Sequence, residues 1–237
     1  MSHIPKHIGF IMDGNRRWAK ERFLTTGEGH AAGAENISTI VEACAKRGVE
    51  TVTIYAFSTE NFKNRSQKEI SILFGLLAAW ISRKSKLMKE QGVRLAFLGD
   101  LTKLPDRLQH KIQHAVDVLK HNERIKCNIL LNYGGRPEII RAMQEIVREG
   151  KTADEINEEL ISNHLYTKGQ ADPDLMIRTG GEMRVSNFLI WQLSYSELYF
   201  TDTYWPDFNA DELDKALVNY AARERRFGGD AMVKQVI

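Results

Sequence analysis

The segment Asp174–Phe208 contains the densest group of side chains with the potential for chemistry. Its apolar start ends at Arg178, a pair of glycines follows, and Arg184 and Ser186 come next. Glycines let a backbone turn sharply and approach a ligand closely. Guanidinium groups, a hydroxyl and free backbone amides around such a turn suit an anion with several oxygens. The segment therefore predicts a site for a group such as a diphosphate.

A second group lies near the N-terminus, where an apolar run ends at Asp13. The residues that follow are Gly14, Asn15, Arg16 and Arg17. A carboxylate at the end of a strand can hold a hard cation such as Mg²⁺, which keeps several waters and binds substrate phosphates. Asp-Gly is more often a turn or a helix cap. The neighbouring arginines and the second basic segment favour the metal and phosphate interpretation.

Three other features leave two interpretations open. His30 follows a glycine turn and precedes a helix, which favours an anion site over a hydrogen bond at the edge of the core. Arg65 and Glu69 are spaced to pair on one face of a helix. Glu197 is either a structural ion-pair partner or a second carboxylate for the metal. For Thr59, in a polar group after another apolar run, capping is the preferred interpretation.

The elements that position these residues follow from short apolar runs that alternate with amphipathic stretches. The predicted strands are His7–Met12, Thr51–Phe57, Val93–Leu98, Lys126–Leu131, Leu175–Arg178 and Leu198–Phe200. The predicted helices are Gly33–Lys46, Gln67–Glu90, Asp106–His121, Pro137–Arg148, Ala153–Asn163, Asn187–Ser194 and Ala210–Arg223. This alternation predicts one α/β domain over residues 1–237, with a mostly parallel six-stranded sheet and helices on both faces.

In such sheets, ligands bind beyond the carboxyl ends of the strands. The polar residues that follow predicted strands are Asp13–Asn15, Ser58–Asn61, Gly99–Asp100, Asn132–Arg136 and Arg178–Gly181. Their clustering at one edge is a stronger signal than any single motif. The helix within Gln67–Glu90 is apolar on more than one face, which is typical of a buried helix; alternatively, one face lines an apolar pocket.

Composition excludes several classes of protein. Lys and Arg total 33 and Asp and Glu 31, so no excess of charge predicts a nucleic-acid partner. Cys44 and Cys127 are far apart, which argues against a disulfide framework or a zinc site. The N-terminus lacks the apolar core of a signal peptide and no run of about 18 apolar residues occurs, so we expect a cytoplasmic protein.

Residues Gly27–Ala32 match the dinucleotide-binding pattern GxGxxA. That pattern requires a strand immediately before it, and Lys20–Thr26 is polar, so an oxidoreductase is disfavoured. Motifs of P-loop enzymes, zinc hydrolases and serine hydrolases do not occur in the chain.

Four stretches resemble the cis-prenyltransferase family, most closely its bacterial undecaprenyl diphosphate synthases, or isoprenyl transferases. They are His7–Lys20, Tyr55–Asn61, Asn132–Arg136 and Arg178–Phe208. With Arg226–Gly228, they occur in the family's order over nearly the whole chain. The resemblance implies a parallel sheet with an apolar tunnel and a Mg²⁺-dependent enzyme. It implies condensation of farnesyl diphosphate with successive isopentenyl diphosphates in cis configuration.

The resemblance also assigns roles to residues. Asp13 and Glu197 match the metal ligands, and Asp13 and Asn61 match catalytic positions. Gly14, Asn15, Arg17 and His30 match residues that help Asp13 to hold the allylic diphosphate. Phe57, Ser58, Glu60 and Asn61 match the region beside the reacting carbons. The other candidate substrate-binding residues are Arg16, Trp18, Thr59, Phe62 and Arg65. Residues that match the isopentenyl diphosphate site are Arg178, Arg184, Ser186, Arg226 and Gly228, the last two completing it across a homodimer. The proton acceptor stays open between Ser58, Asn61 and a diphosphate oxygen.

The chain departs from the family pattern at two places. Arg16 stands where many bacterial members have a glycine, and Thr26 stands where many have an arginine. We expect Arg16 to supply the positive charge that is missing at Thr26. The spacing before Arg65 is one residue longer than usual, which leaves the alignment of Arg65 open.

Two alternatives to a long-chain synthase are a short- or medium-chain synthase and a non-catalytic subunit of the same family. The same motifs serve synthases of short or medium chains, with product length set by packing around Ala56, Phe74 and Trp80. A non-catalytic subunit is disfavoured because the Asp-Gly-Asn motif is intact at Asp13–Asn15. A membrane lipid as product implies weak contact with the inner face of a bilayer.

Overall fold

The computed structural model describes residues 4–223, whose strands all belong to one sheet. The strands are β1 (His7–Ile11), β2 (Thr51–Ser58), β3 (Val93–Leu98), β4 (Ile125–Tyr133), β5 (Leu175–Arg178) and β6 (Glu197–Phe200). The helices are α1 (Asn15–Glu21), α2 (Thr26–Lys46), α3 (Thr59–Asn64), α4 (Gln67–Glu90), α5 (Asp106–Leu119), α6 (Gly135–Arg148), α7 (Glu158–Ser162) and α8 (Ala210–Ala221).

The strand order in the sheet is β3-β4-β2-β1-β5-β6, and every neighbouring pair is parallel. The predicted α/β class and six-stranded sheet are therefore confirmed. β1 lies between β2 and β5, so the polar residues after these three strands meet at one edge. The functional site is therefore expected at this edge of the sheet.

Both faces of the sheet are covered. One face packs through residues such as Phe10, Ile54 and Ile129 against a core shared with α2, α4, α5 and α8. The opposite face packs through residues such as Tyr55 and Met176 against the segment that follows β5. The central strands β1, β2, β4 and β5 are largely buried on both faces, which explains why they are nearly continuous apolar runs, whereas the edge strands β3 and β6 are partly exposed.

The segment Asn187–Ser194 is not a helix, and that prediction was wrong. Ser186, Asn187 and Leu189 have φ angles of 46°, 65° and 41°. These left-handed values cannot continue a right-handed helix. The segment is instead a series of turns, and its apolar residues fill the core without helical geometry.

Other helix boundaries also differ from the prediction. α2 begins seven residues before Gly33, because Thr25 and Glu28 form a capping box at its start. The predicted helix Ala153–Asn163 is α-helical only over Glu158–Ser162, after a 3₁₀ turn. The helices α1 and α3 were not predicted, since each is shorter than eight residues.

Within the described part of the chain, no helix is long and apolar enough to cross a membrane.

Candidate active site

Asp13 is held in place by the turn that follows β5. The hydroxyl of Thr179 accepts from the backbone N–H of Asp13 at 3.0 Å and donates to its carbonyl at 2.8 Å. The N–H of Gly14, which has a φ of 104° and caps α1, donates to the Asp13 carboxylate at 2.7 Å. Gly180 has a φ of 84°, and a side chain there would lie 3.0 Å from the backbone carbon of Asp13, so glycine is strongly favoured. The backbone thus fixes where this carboxylate points.

Two arginines approach the Asp13 carboxylate. Arg178 lies 2.9 Å from one oxygen, and Arg17 lies 3.1 Å from the other. Arg178 is buried and also donates to the Ser186 hydroxyl at 2.7 Å. Arg17 stacks over the Tyr204 ring, 5.4 Å from its centroid. The structure therefore brings Asp13, Arg17, Arg178 and Ser186 together, with charge-assisted hydrogen bonds that also suit phosphate oxygens.

A polar cavity of about 830 Å³ opens beside Asp13. We call this cavity the mouth. Its cationic side chains are Arg16, Arg17, Lys20 and Arg65. The other residues that line it are Met12, Asp13, Gly14, Asn15, Phe23, Leu24, Thr26 and His30. Four cations against one carboxylate make the mouth a site for a polyanion.

Arg65 belongs to the mouth despite the unusual spacing before it. It donates to Asn61 Oδ1 at 3.2 Å, pairs with Glu69 at 3.1 Å and lies over the Phe57 ring. Burial lowers the pKa of Arg65, and the pairing with Glu69 partly offsets this. Arg65 therefore orients Asn61 beside the mouth.

His30 lies where the mouth meets a second cavity. Burial, reinforced by the positive charges of Arg65 and Arg16, lowers the pKa of His30 to about 4. Its buried Nε2 has no hydrogen-bond partner among residues 4–223. A neutral imidazole with a free ring nitrogen is available to a bound ligand.

The second cavity is apolar and has a volume of about 90 Å³. It shares Met12, Asn15 and His30 with the mouth. The remaining residues that line it are Gly33, Ala34, Ile37, Ala56, Phe57, Leu73, Phe74, Leu76, Leu77, Trp80 and Leu131. One face of α4 thus lines a pocket, as the sequence left open, and the cavity lies where a tunnel was predicted.

Aromatic rings form the wall between this cavity and α3. Phe57 packs edge-on against Phe62 and Phe74, with centroids 6.1 and 5.7 Å away. Trp80 is fully buried, and its indole nitrogen has no partner within residues 4–223. These packed rings form an apolar surface that suits a hydrocarbon ligand.

The polar group after β2 is organised by α3. The Ser58 hydroxyl caps α3 by accepting from the N–H of Asn61 at 3.0 Å. Thr59, for which we preferred a capping role, is instead the first residue of α3 and donates to Glu60 at 3.2 Å. Glu60 accepts from the side-chain amide of Asn187 at 2.8 Å. The group after β2 is thereby tied to the segment after β5.

Several residues that match the family's site do not join this cluster. The exposed Arg184 side chain pairs with Glu182, and only its backbone carbonyl contacts Arg178. The Trp18 indole donates to Asp207 at 2.7 Å, on the surface next to Arg22. Arg226 and Gly228 lie outside the described residues.

Glu197 lies at the opposite end of the sheet from Asp13. It begins β6 beside Leu175, which pairs with Ile8 near the start of β1, whereas Asp13 follows the end of β1. Its carboxylate pairs with Arg223 at 2.6 Å. Within one chain, therefore, Asp13 and Glu197 do not come together.

Among the described residues that line the mouth, Asp13 offers the carboxylate that fits Mg²⁺. Within residues 4–223, no three His, Cys, Asp or Glu side chains are grouped to hold a metal. Mg²⁺ is commonly bound through one or two carboxylates with waters and substrate phosphates supplying the other oxygens. The Asp13 side chain is 30% exposed and faces the cationic mouth, so its chemistry fits that mode of binding.

Sequence reasoning missed residues that hold the site together. Thr179 fixes the Asp13 backbone, Tyr204 stacks under Arg17, and Asn187 joins two loops. Thr179 directly follows Arg178 at a strand end, which was a usable signal. Tyr204 and Asn187 act through long-range contacts that no local pattern shows.

Comparison with known proteins identifies the class. Residues 11–228 match the protein family described as "Putative undecaprenyl diphosphate synthase". An isoprenyl transferase of Clostridium perfringens is 45% identical over 230 residues, which cover 95% of this chain and 90% of that protein. One from Fusobacterium nucleatum is 48% identical over 227 residues, or 96% and 97% of the two chains.

Solved structures agree with this assignment. Lavandulyl diphosphate synthase from Lavandula x intermedia, in complex with dimethylallyl diphosphate, has a TM-score of 0.90 at 36% identity, covering 94% of this chain and 98% of that chain. A "probable undecaprenyl diphosphate synthase" from Campylobacter jejuni has a TM-score of 0.80 at 33% identity, covering 95% and 99%. The chain belongs to the undecaprenyl diphosphate synthase family of cis-prenyltransferases, whose curated relatives are named isoprenyl transferases.

Proposed function

We propose that this protein condenses (2E,6E)-farnesyl diphosphate with successive isopentenyl diphosphates in cis configuration. The proposed product is undecaprenyl diphosphate, the precursor of a lipid carrier for cell-wall glycans. One observation carries the proposal: the cationic mouth and the apolar cavity share Met12, Asn15 and His30. A diphosphate in the mouth would place its hydrocarbon chain in the cavity.

The basic residues are proposed to stabilise the departing diphosphate. Charge accumulates on the diphosphate oxygens as the allylic carbon–oxygen bond breaks. Arg16, Arg17 and Lys20 line the mouth, and a preorganised donor aimed at developing charge is typically worth about 3–4 kcal/mol. Arg17 is held by its ion pair with Asp13 and its contact with the Tyr204 ring, so it needs little reorganisation to act on the leaving group.

Mg²⁺ is the proposed cofactor, held by Asp13 together with phosphate oxygens of the substrate. When bound, it supplies additional positive charge to the leaving group. Asp13 orients that charge because Gly14 and Thr179 fix its carboxylate and backbone. A role for Glu197 as a second ligand would require a second chain, given its place at the far end of the sheet.

The proton lost in each condensation is proposed to pass to a diphosphate oxygen. Ser58 and Asn61 carry a neutral hydroxyl and a neutral amide, neither of which is an effective base. Burial lowers the pKa of His30 to about 4, so this imidazole is a weak base at neutral pH. The Ser58 hydroxyl caps α3. Ser58 and Asn61 are proposed to position the reacting double bond.

Incubation with farnesyl diphosphate, labelled isopentenyl diphosphate and Mg²⁺ tests the proposal, with products sized by chromatography and an EDTA control. A metal-dependent ladder ending near C55 is expected. No incorporation from farnesyl, geranyl or geranylgeranyl diphosphate would contradict the proposed reaction.

A short- or medium-chain product is the second candidate. The apolar cavity has a volume of only about 90 Å³ and lies between α2 and α4. A long hydrocarbon chain would therefore require these two helices to move apart. The same assay separates the two candidates, because a short-chain synthase would stop after one or a few additions.

We also propose a homodimer that uses α6. Ile140 and Val147 are 58% and 67% exposed and lie on one side of this helix, next to an open apolar groove. Patches of this kind mark protein contacts. The double substitution Ile140→Lys and Val147→Lys should convert a dimer to a monomer in light scattering. Val218→Lys, at an exposed position on α8, is the control; a wild-type monomer would refute the proposal.

Finally, we propose contact with the inner face of a membrane through Phe23 and Leu24. Phe23 is 99% exposed with a φ of 57°, and both residues lie at the rim of the mouth beside Lys20. Phe23→Ser should reduce sedimentation with phosphatidylglycerol vesicles by roughly tenfold. Val218→Ser should not; equal binding by all three proteins would exclude this contact.

A further inference from the structure

Asn187 connects three loops at the carboxyl edge of the sheet. Its side-chain N–H donates to Glu60, on α3, at 2.8 Å. Its side-chain oxygen accepts from the backbone N–H of Arg136 at 2.9 Å, and its carbonyl accepts from the N–H of Gly135 at 2.7 Å. The loops after β2, β4 and β5 therefore meet at a single side chain.

The backbone at this point is held in an unfavourable conformation. Ser186 and Asn187 are consecutive non-glycine residues with φ angles of 46° and 65°. Such residues persist where surrounding contacts determine them, commonly at functional sites. The result is that the Ser186 hydroxyl accepts from Arg178 while the next side chain points to Glu60.

The contact is tightly packed and electrostatically consistent. A side chain at Gly134 would lie 2.7 Å from the Asn187 amide nitrogen and 2.8 Å from the Thr59 hydroxyl, so it would have to displace the Asn187 side chain from this contact. Burial raises the pKa of Glu60, but hydrogen bonds from its own backbone, Asn187 and Ser58 outweigh this and hold the pKa below its ordinary value.

The two ends of this contact belong to different halves of the site. Glu60 precedes Asn61. The backbone N–H of Asn61 donates to the Ser58 hydroxyl, and its side-chain oxygen accepts from Arg65 at the mouth. Asn187 follows Ser186, whose hydroxyl accepts a hydrogen bond from Arg178. A shift of about 1 Å between reacting groups can slow a reaction by roughly a hundredfold.

We infer that Asn187 is a positioning residue, which sets the separation of the two substrates by tying Glu60 to the loop after β5. This inference rests on the proposed function. Within residues 4–223, Asn187 makes hydrogen bonds to Glu60, Gly135 and Arg136 but not to Asp13 or to the cations of the mouth. It is therefore expected to affect the rate of condensation rather than the binding of the allylic diphosphate.

Reversal of hydrogen-bond polarity tests the inference. Asn187→Asp places a carboxylate against Glu60, and kcat should fall about tenfold or more while the KM for the allylic diphosphate stays within about twofold. In the double variant with Glu60→Gln, the introduced amide can donate to the introduced carboxylate. Its kcat should recover to within about threefold of that of Glu60→Gln alone.

Asn187→Gly is the backbone control, because glycine accepts the left-handed conformation but supplies no side-chain contact. It should be as slow as Asn187→Asp. Rates are expressed per site that binds allylic diphosphate, so that misfolded protein does not count. Unchanged kcat in Asn187→Asp, or a double variant no faster than Asn187→Asp, would overturn the inference. Absence of product from the wild-type protein would instead refute the proposed function.

Discussion

At the scale of single residues, the site depends on charges that are balanced around Asp13. Arg178 and Arg17 neutralise this carboxylate, and Glu69 pairs with Arg65, while Arg16 and Lys20 also line the mouth. The positive charges of Arg16 and Lys20 are those that the proposed diphosphate would meet. Arg16 is the cation whose presence distinguishes the chain from the common family pattern, and Thr26, which lacks a charge, lines the same cavity.

Arg16→Gly should therefore weaken use of the allylic substrate. A hydrogen bond to a charged group contributes about 1.5–3 kcal/mol, so we expect the KM for farnesyl diphosphate to rise roughly tenfold or more. Steady-state kinetics with saturating isopentenyl diphosphate measures it. Arg83→Gly, which removes an exposed arginine that pairs with Glu35 on another surface, is the control. An unchanged KM in Arg16→Gly would show that this charge does not compensate for Thr26.

Residue types and strand ends sufficed to predict Asp13, Arg178 and Ser186 as neighbours. They left Glu197 open between an ion pair and a metal ligand; in the structure it pairs with Arg223, at the end of the sheet away from Asp13. They did not show that the Arg184 side chain turns outward to Glu182. The substrate and metal roles of both residues stay predictions. Local patterns show which residues are polar, but the direction of a strand or side chain is set by packing.

At the scale of elements, α2, α4 and β2 supply most of the wall of the apolar cavity. Ala56 on β2 lines this cavity together with Phe74 and Trp80 of α4, and its small side chain leaves room for the ligand. The sequence predicted the length and apolar faces of α4. It could not show which face stays open, because that depends on contacts with α2 and α5.

Ala56→Leu should shorten the product. The added atoms occupy part of a cavity of about 90 Å³, and each methylene-sized group of product that is no longer buried loses about 0.8 kcal/mol. Product sizing by chromatography should show a ladder that ends at fewer isoprene units. The rate of the first condensation is the internal control and should be little changed. A ladder of the same length would place the growing chain outside this cavity.

At the scale of the whole molecule, the fold was predictable and the join of the two cavities was not. Alternating strands and helices predicted the parallel sheet. The turns over Ser186–Leu189 were missed because the apolar run within Asn187–Ser194 resembles a helix. The left-handed backbone of Ser186, Asn187 and Leu189 has no signature in the sequence. The shared wall of mouth and cavity is formed by Met12 after β1, Asn15 on α1 and His30 on α2, and the packing of α1 against α2 that brings them together is not visible in the sequence.

Stability should fall in mild acid because of His7. Its Nδ1 donates to the carbonyl of Ala171 and its Nε2 accepts from the Thr53 hydroxyl, each at 2.7 Å, and burial lowers its pKa to about 4. The unfolded chain binds a proton below about pH 6.5, so this contribution is complete above that pH and is lost as the pH falls towards 4.

The predicted loss from His7 is up to about 3 kcal/mol, and His30 adds to it in the same direction. Urea unfolding of wild type and His7→Asn between pH 7 and 4.5 measures it. The difference in free energy of unfolding between the two proteins should shrink as the pH falls. A difference that does not depend on pH would contradict this account.

The most direct test of the central claim is the initial rate of isopentenyl incorporation by Asp13→Asn with Mg²⁺ and farnesyl diphosphate. Asp214→Asn, which removes a carboxylate that pairs with Arg47 on a distant surface, is the matched control. Loss of the fixed carboxylate should reduce the rate by roughly a thousandfold or more, while the control keeps wild-type activity. A reduction in Asp13→Asn of less than about tenfold would show that the chemistry does not occur at this mouth.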